Sequence, residues 1–441
     1  MALSVEPYVG ARDFYPKDER VQAYMRATMR RVAETFGYEA YDAPLLEPAD
    51  LYATTTSAEI ADTQLYTFAD RGGHRLAIRP DMTPSTARLV AAKRSDLTFP
   101  LRWYSLLNLW RYEQPQQQER SRDYWQLSVD LFGPGSVHTD AEIIQLADTV
   151  LQTVGGTPEM YSIGVNHREL LHFILSEYLG LDSVQIRTVI QLLIRKPRLT
   201  HEAFVAEIDA SFTPSQREAN ASTKLLGLLK TKTVEHLPEV IRMQRAALEL
   251  KELFHSLKAA GVHSAHFDLS VVRGPDYYTG MVFEAMDENP EHRQSMLGGG
   301  RYDHLVEMFG VEPVSAVGFG FGNVTFENFL RGHKLLPKAH VETNVYVIVA
   351  PALLDKAQPV IAEMRHMGVT VAVDFSGHAA DKLRQLAKKK GIRYALTITA
   401  KDLDDEQYEL TNLHTGKVER HSLARTVSLV KDHRHAEPAD D

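Results

Sequence analysis

The chain has 441 residues, 44% of them hydrophobic and 24% charged, a globular balance long enough for two or three domains. A net charge of −9 argues against a broadly basic nucleic-acid binder, so any such partner has to meet a local cluster of Lys and Arg. With no cysteine there are no disulfides, thiol nucleophiles or thiolate metal sites, which suits a reducing cytoplasm. No apolar run approaches the roughly 20 residues of a membrane span, and the opening MALSVEPYVGARDFYPKDER lacks a secretory pattern.

Along the chain, residues 17–36 read as an amphipathic helix. Val21, Met25, Met29, Val32 and Phe36 recur at helical spacing, with Gly37 placed to end it. From about 40 to 135 the pattern shifts to short aromatic and aliphatic runs, HRLAIRP, LRWYSLLNLWRYE and YWQLSVDLFG, separated by turns and read as strands. On the second run Trp103, Leu107 and Leu109 share one parity and Arg102, Tyr104 and Asn108 the other, as on a half-buried strand. Residues 168–262 are rich in Leu and Ala and mostly helical, and strand signals return at 264–284 and 314–322. That order reads as a helical insertion within one discontinuous domain. After a linker, RGHKLLPKAHVETN, the order NVYVIVA, a helix over 352–367, VTVAVD, the helical DKLRQLAKKK and RYALTIT is β-α-β-α-β. It predicts a small α/β domain with a largely parallel sheet. The expected boundaries are 1–167 with 263–331, 168–262, and 341–430, followed by a disordered tail over 431–441.

Four stretches could carry chemistry. In IRPDMTPSTARL, Asp81 and Thr83 lie two apart; on a continuing strand both would face one way and could receive an ammonium group, although a surface turn with a helix cap at Thr83 would leave the same pattern. In RYEQPQQQERSRDYWQLSVDLFG, Arg111 and Glu113 share a parity on one strand, and Gln126 and Asp130 share one on the next. Polar groups on an otherwise aromatic face call for a ligand, unless the hairpin is simply solvated. In VVRGPDYYTGMVFE, Arg273 precedes Tyr277 and Tyr278, of which only one would line a pocket if the segment were extended; a tyrosine-rich core strand reads equally well. In LGGGRYDHL, the glycines before Arg301 could turn backbone amides toward an anion or form a plain turn. GFGFGN lacks the spacing of a nucleotide-binding loop and more simply marks a strand approached closely by another backbone or a ligand. The 19 histidines show no metal-ligand spacing, and no phosphate-binding loop, HExxH or GxSxG is present.

Together, and in this order, the segments resemble the histidyl-tRNA synthetase family of class II aminoacyl-tRNA synthetases. GARDFYP is similar to its N-terminal signature, APLLEP to motif 1, RYEQPQ…RSRDYWQ to motif 2, and VVRGPDYYTG with GGGRYD to its two histidine-specific segments; the likeness spans about 10–430. The resemblance implies an α+β fold: an antiparallel class II sheet flanked by helices, with a helical insertion and a C-terminal α/β domain like the anticodon-binding domain. It implies a cytoplasmic homodimer that uses ATP and Mg²⁺ to make histidyl-adenylate and passes histidine to the 3′ end of its tRNA.

The same resemblance assigns roles residue by residue. Asp81, Thr83 and Gln126 would hold the α-ammonium. Asp130 would meet the imidazole in a pocket completed from Tyr277, Tyr278 and Tyr302. Arg111 and Arg273, the catalytic pair, would grip the carboxylate and the α-phosphate. Glu113 and Tyr124 would contact adenine, Arg120 or Arg122 the distal phosphates, and Gln114 and Gln116 the acceptor end of the tRNA. Two departures stand out. Thr325 occupies the motif 3 position where class II enzymes carry an Arg for the γ-phosphate, and Gln114 stands where many relatives have Arg, in a loop about one residue longer. The alternative from another class is the family's non-charging paralogue, a regulatory subunit of ATP phosphoribosyltransferase; the C-terminal domain argues against it. Lys382, Arg384, Lys388, Lys389, Lys390 and Arg393 form a basic cluster suited to tRNA phosphates, or a solvated helix face.

Overall fold

A computed structural model describes residues 3–55, 60–112, 121–273, 277–291, 294–337 and 341–432. They form two compact units, 1–337 and 338–441.

The first unit opens with the helix Pro16–Thr35, which has Pro at its first turn beside Asp18 and Glu19. Its expected stop is observed: Gly37 takes φ +78°, and the Tyr38 amide returns to the Ala33 carbonyl at 3.1 Å. Eleven strands follow in chain order: β1 (Glu39–Ala40), β2 (Leu46–Pro48), β3 (Tyr66–Ala69), β4 (Arg75–Ile78), β5 (Leu101–Trp110), β6 (Asp123–Gly133), β7 (Tyr161–His167), β8 (Ala265–Phe267), β9 (Met281–Asp287), β10 (Ser295–Arg301) and β11 (Ser315–Gly322). Strands β2, β4 and β3 make a small antiparallel sheet in that order. The others make one eight-stranded sheet, β1-β5-β6-β11-β10-β9-β7-β8. Its six central strands are antiparallel to their neighbours, and only the outermost pairs, β1 with β5 and β7 with β8, are parallel.

One face of this sheet is the hydrophobic floor of the unit. Trp125, Leu127, Val129 and Leu131 of β6, Phe319 and Phe321 of β11, and Phe283 of β9 point into it. They are covered by the helices Pro16–Thr35, Val137–Thr153, Arg245–Ala259 and Asn323–Gly332. Each fully buried side chain of this size contributes about 1.5–3 kcal/mol. The seven α-helices from Arg168–Phe173 to Arg245–Ala259 all lie in the connection between the adjacent strands β7 and β8. Among them, Ser183–Arg195 begins at Asp182 with a full capping box closed by Gln185.

The second unit has the predicted β-α-β-α-β core. Val345–Val349 lies between Val371–Val373 and Tyr394–Ile398, parallel to both, with helices Leu354–His366 and Ala380–Lys389 between them. Two antiparallel strands, Tyr408–Asn412 and Val418–His421, extend the sheet beyond the predicted elements. The last helix, Leu423–Asp432, runs two residues into the stretch expected to be a tail; the remainder of that stretch lies outside the described residues.

Candidate active site

The second face of the large sheet carries Gln126, Ser128 and Asp130 on β6. Because side chains alternate along a strand, their neighbours Leu127 and Val129 go to the hydrophobic floor. Opposite these polar residues the neighbouring strand β11 has glycine. Gly318 pairs in register with Asp130 and Gly320 with Ser128. A Cβ on Gly320 would lie 2.5 Å from Nε2 of Gln126, and one on Gly318 would lie 2.5 Å from Oδ1 of Asp130. On β10, a Cβ on Gly298 would strike the guanidinium of Arg273, and one on Gly300 would lie 2.9 Å from the Tyr278 ring. The glycine runs therefore remove side chains where functional groups lie flat on the sheet. The amides of Gly298–Gly300 are spent in ladders to β9 and β11, so the stretch is neither an anion-facing nest nor a flexible turn.

Asp81 sits at the start of the helix Thr83–Ala92, past the end of β4. No strand carries Asp81 and Thr83 to one face. Instead Asp81 Oδ1 accepts the amides of Met82 (2.7 Å) and Thr83 (3.4 Å), and Thr83 is the first residue of the helix, not its cap. It is buried, not on a surface turn. Its Oδ2 accepts the Tyr277 hydroxyl at 3.3 Å. Tyr277 lies in a turn, and its ring is within 4.8 Å of Tyr278. The opposition expected of an extended pair is absent, and both tyrosines belong to the same wall. The Tyr277 ring also meets Tyr302 at 5.7 Å, edge to face. Tyr302 in turn donates its hydroxyl to Oδ1 of Asp130. Oδ2 of Asp130 is buried and has no hydrogen-bond partner among the described residues. Burial pushes the Asp130 carboxyl up to about 7; the Tyr302 hydrogen bond works against that rise and the charge of Asp81 adds to it.

The cationic side of the site is built around Pro80 and β9. Arg111 Nε donates to the Pro80 carbonyl at 2.9 Å, and the Tyr124 hydroxyl reaches the same oxygen at 3.4 Å, with the guanidinium carbon 5.7 Å from the Tyr124 ring centre. Arg273 Nη1 donates to Glu284 Oε1 at 2.9 Å, and its Nε is buried with no hydrogen-bond partner among the described residues. Burial disfavours the Arg273 cation, but Glu284 and the two tyrosines outweigh it and hold the pKa above its usual value. Arg122 turns to the N-terminal segment: Nη1 donates to the Tyr8 hydroxyl (3.0 Å) and the Val9 carbonyl (3.2 Å), and the guanidinium lies over the Tyr112 ring at 4.1 Å. Thr325 spends its hydroxyl on the carbonyls of Met296 (2.8 Å) and Gly322 (3.2 Å) in the first turn of Asn323–Gly332.

The structure thus joins Asp81, Arg111, Asp130, Tyr277, Tyr278 and Tyr302 by contacts through Pro80 and the tyrosines, with Gln126 on the same sheet face and Arg273 over Gly298. Glu113, Gln114, Gln116 and Arg120 lie outside the described residues, as do 274–276. Arg301 turns away from the site, buried against Asp140 (2.6 Å), Ser315 (2.6 Å) and Thr139 (2.8 Å). Sequence reasoning missed Glu284 and Ser295. Only the register of β9 against β10, which sets Glu284 opposite Gly298, puts them beside Arg273.

A family model for histidyl-tRNA synthetase matches residues 10–323, and one for an anticodon binding domain matches 344–433. A histidine–tRNA ligase from Leptospira biflexa is 38% identical over 416 residues, covering 91% of this chain and 94% of that protein. One from Thermoplasma volcanium is 33% identical over 431 residues, covering 97% and 99%. The crystal structure of histidyl-tRNA synthetase from Nostoc sp. PCC 7120 superposes with a TM-score of 0.82 at 23% identity, over 98% of this chain and 100% of that one. A Bacillus halodurans structure described as an ATP phosphoribosyltransferase regulatory subunit/histidyl-tRNA synthetase gives 0.72 at 23% identity, over 90% and 99%.

Proposed function

The chain belongs to the histidyl-tRNA synthetase family and is a histidine–tRNA ligase; on that premise we propose how its residues divide the work. Histidine lies on the glycine-lined sheet face. Its α-ammonium is held by Asp81, Thr83 and Gln126. Its ring N–H meets Oδ2 of Asp130, which has no partner among the described residues, in a pocket walled by Tyr277, Tyr278 and Tyr302. The observation that carries this reading is that buried carboxylate oxygen: a site closed by apolar groups would leave it unsatisfied at a cost of several kcal/mol.

ATP enters as its Mg²⁺ complex, with adenine stacked on Tyr124 and contacted by Glu113. The histidine carboxylate attacks the α-phosphorus in line, and charge builds on its non-bridging oxygens. Arg111 and Arg273 are cations aimed at that charge, each worth on the order of 3 kcal/mol of activation. No enzyme nucleophile is needed. Arg120 reaches the distal phosphates. Arg122, placed among the same candidates, serves the hairpin instead, in keeping with its contacts to Tyr8, Val9 and Tyr112. Gln114 and Gln116 face the acceptor end of the tRNA. With Thr325 spent on Met296 and Gly322, the γ-phosphate is left to the motif 2 arginine.

The enzyme works as a cytoplasmic homodimer. Leu45, Leu46 and Phe68, on and beside the small sheet that carries the motif 1 segment, are exposed large apolar groups that suit a subunit contact. No helix among the described residues is long and apolar enough to cross a membrane. The regulatory-subunit reading is the weaker one, because the matched anticodon-binding unit at 344–433 has no use in it. The deciding experiment is ATP–pyrophosphate exchange with each amino acid in turn, followed by charging of tRNA. Exchange with histidine alone, then charging of its tRNA, is expected; exchange indifferent to histidine overturns the reading.

A further inference from the structure

Arg273 is held by a second residue to which no role in the reaction has been given. Its Nη1 donates to Glu284 Oε1 at 2.9 Å, and the same oxygen accepts the Ser295 hydroxyl at 2.6 Å. Glu284 stands on β9 directly across from Gly298 of β10, the glycine whose missing Cβ leaves the space that the Arg273 guanidinium fills. Arg273 comes from the segment after β8 rather than from a strand, so its direction is set by side-chain partners and not by strand pairing. A guanidinium is a rigid planar fork, so pinning one nitrogen sets the direction of the others. The Nε so directed is buried and unpartnered among the described residues.

We propose that Glu284, braced by Ser295, is the positioning residue for Arg273: it locks the guanidinium flat over Gly298 so that the free side of the fork meets the oxygen charge formed when histidine and ATP react. This rests on the reading that Arg273 acts on that charge. Glu284 touches neither substrate. Its removal leaves Arg273 charged and present but without the carboxylate that sets its direction, so the transition state loses its partner while ground-state binding of histidine, held by Asp81, Thr83, Gln126 and Asp130, is nearly unaffected.

The test is histidine-dependent pyrophosphate exchange with the full chain bearing Glu284→Ala, Glu284→Gln, Ser295→Ala or Arg273→Ala, with thermal unfolding of each. Arg273→Ala is expected to lose exchange at least a hundredfold. Glu284→Ala should lower kcat about thirtyfold with the histidine KM within threefold. Glu284→Gln, which keeps an oxygen acceptor, should recover to within about fivefold of the parent. Ser295→Ala should fall about threefold to fivefold in kcat with an unchanged melting temperature, and it decides the matter if Glu284→Ala does not fold. Glu284→Ala or Ser295→Ala with parental kcat beside an inactive Arg273→Ala overturns the inference alone. A near-normal Arg273→Ala overturns the reading beneath it. A change confined to a raised histidine KM assigns Glu284 to substrate binding and also overturns the inference.

Discussion

Tyr302 holds one oxygen of the Asp130 carboxyl by a hydrogen bond, while the other, equally buried, has no partner among the described residues. This half-satisfied acid sits at the end of a wall of tyrosines running through Tyr277 to Asp81. Its protonation state should therefore report directly on both folding and occupancy.

Burial raises the folded-state pKa of Asp130 from 3.8 to about 7. A raised carboxyl supports the folded state only while it carries its proton. Its contribution is whole below about pH 4 and is lost as pH rises through about 7, a change on the order of a few kcal/mol. The ligand-free enzyme should thus lose melting temperature between about pH 4 and 7 and level off above that, and Asp130→Asn should flatten that slope. Parallel thermal unfolding series check it; equal slopes in the two proteins would remove Asp130 as the titrating group.

A second prediction concerns Gly320. The three atoms nearest a Cβ there all belong to the terminal amide of Gln126, with Nε2 at 2.5 Å and Cδ at 2.8 Å. A flexible amide can give way, so Gly320→Ala should fold with a melting temperature close to the parent. The displaced Gln126 would then lose its hold on the histidine α-ammonium. The expected result is a histidine KM raised about tenfold, roughly one lost charge-assisted hydrogen bond, with the ATP KM unchanged. Steady-state exchange kinetics measure both constants, and an unchanged histidine KM would remove Gln126 from that role.

Arg122 yields a third. Beyond its side-chain bonds to Tyr8 and Val9, its amide donates to the Gly10 carbonyl at 2.7 Å, and its carbonyl accepts the Arg111 amide at 2.9 Å. Gly10 itself has φ +86°, and a Cβ on it would lie 2.7 Å from the Arg122 side chain. The N-terminal segment is therefore clamped to the base of the hairpin that carries Arg111 and Tyr124. Lysine cannot stack as a plane over Tyr112, so Arg122→Lys should behave like Arg122→Ala. Both should raise the ATP KM about tenfold with little change in the histidine KM, and deletion of residues 3–9 should reproduce the effect. A parental ATP KM in all three proteins would show that the clamp has no part in nucleotide binding.

The periodic elements were legible in the sequence because their signals are local. The helix at 16–35 and its Gly37 stop, and the β-α-β-α-β run after 344, follow from spacing and punctuation. β5 was misread as half-buried. Tyr104, placed with the polar set, is in fact a floor residue, since that strand is covered on both faces and simple alternation fails. The candidate site was legible as a set of residue types, but its assembly depends on register between strands far apart in the chain. Nothing local says that Gly298 faces Glu284, that Tyr277 turns rather than extends, or that Arg301 spends itself on Asp140.

The last prediction concerns the second unit. On the helix Ala380–Lys389 and just past its end, Lys382, Lys388, Lys389 and Lys390 are exposed, whereas Arg384 is tied to Asp381 (3.0 Å) and Glu409 (2.9 Å). The lysines are thus the members of the basic cluster left open to solvent, and their role toward tRNA can be tested. Replacing Lys388, Lys389 and Lys390 together by Glu should raise the tRNA KM in charging by at least tenfold. It should also lower the slope of log KM against log salt by about two to three, since each lost phosphate contact releases about one fewer counterion. Pyrophosphate exchange, which needs no tRNA, should stay at the parental rate. That contrast separates a phosphate-binding surface from a solvated helix face: charging unchanged at every salt concentration would mean the cluster only keeps the unit soluble, and a parallel fall in exchange would mean the substitutions had damaged the enzyme as a whole.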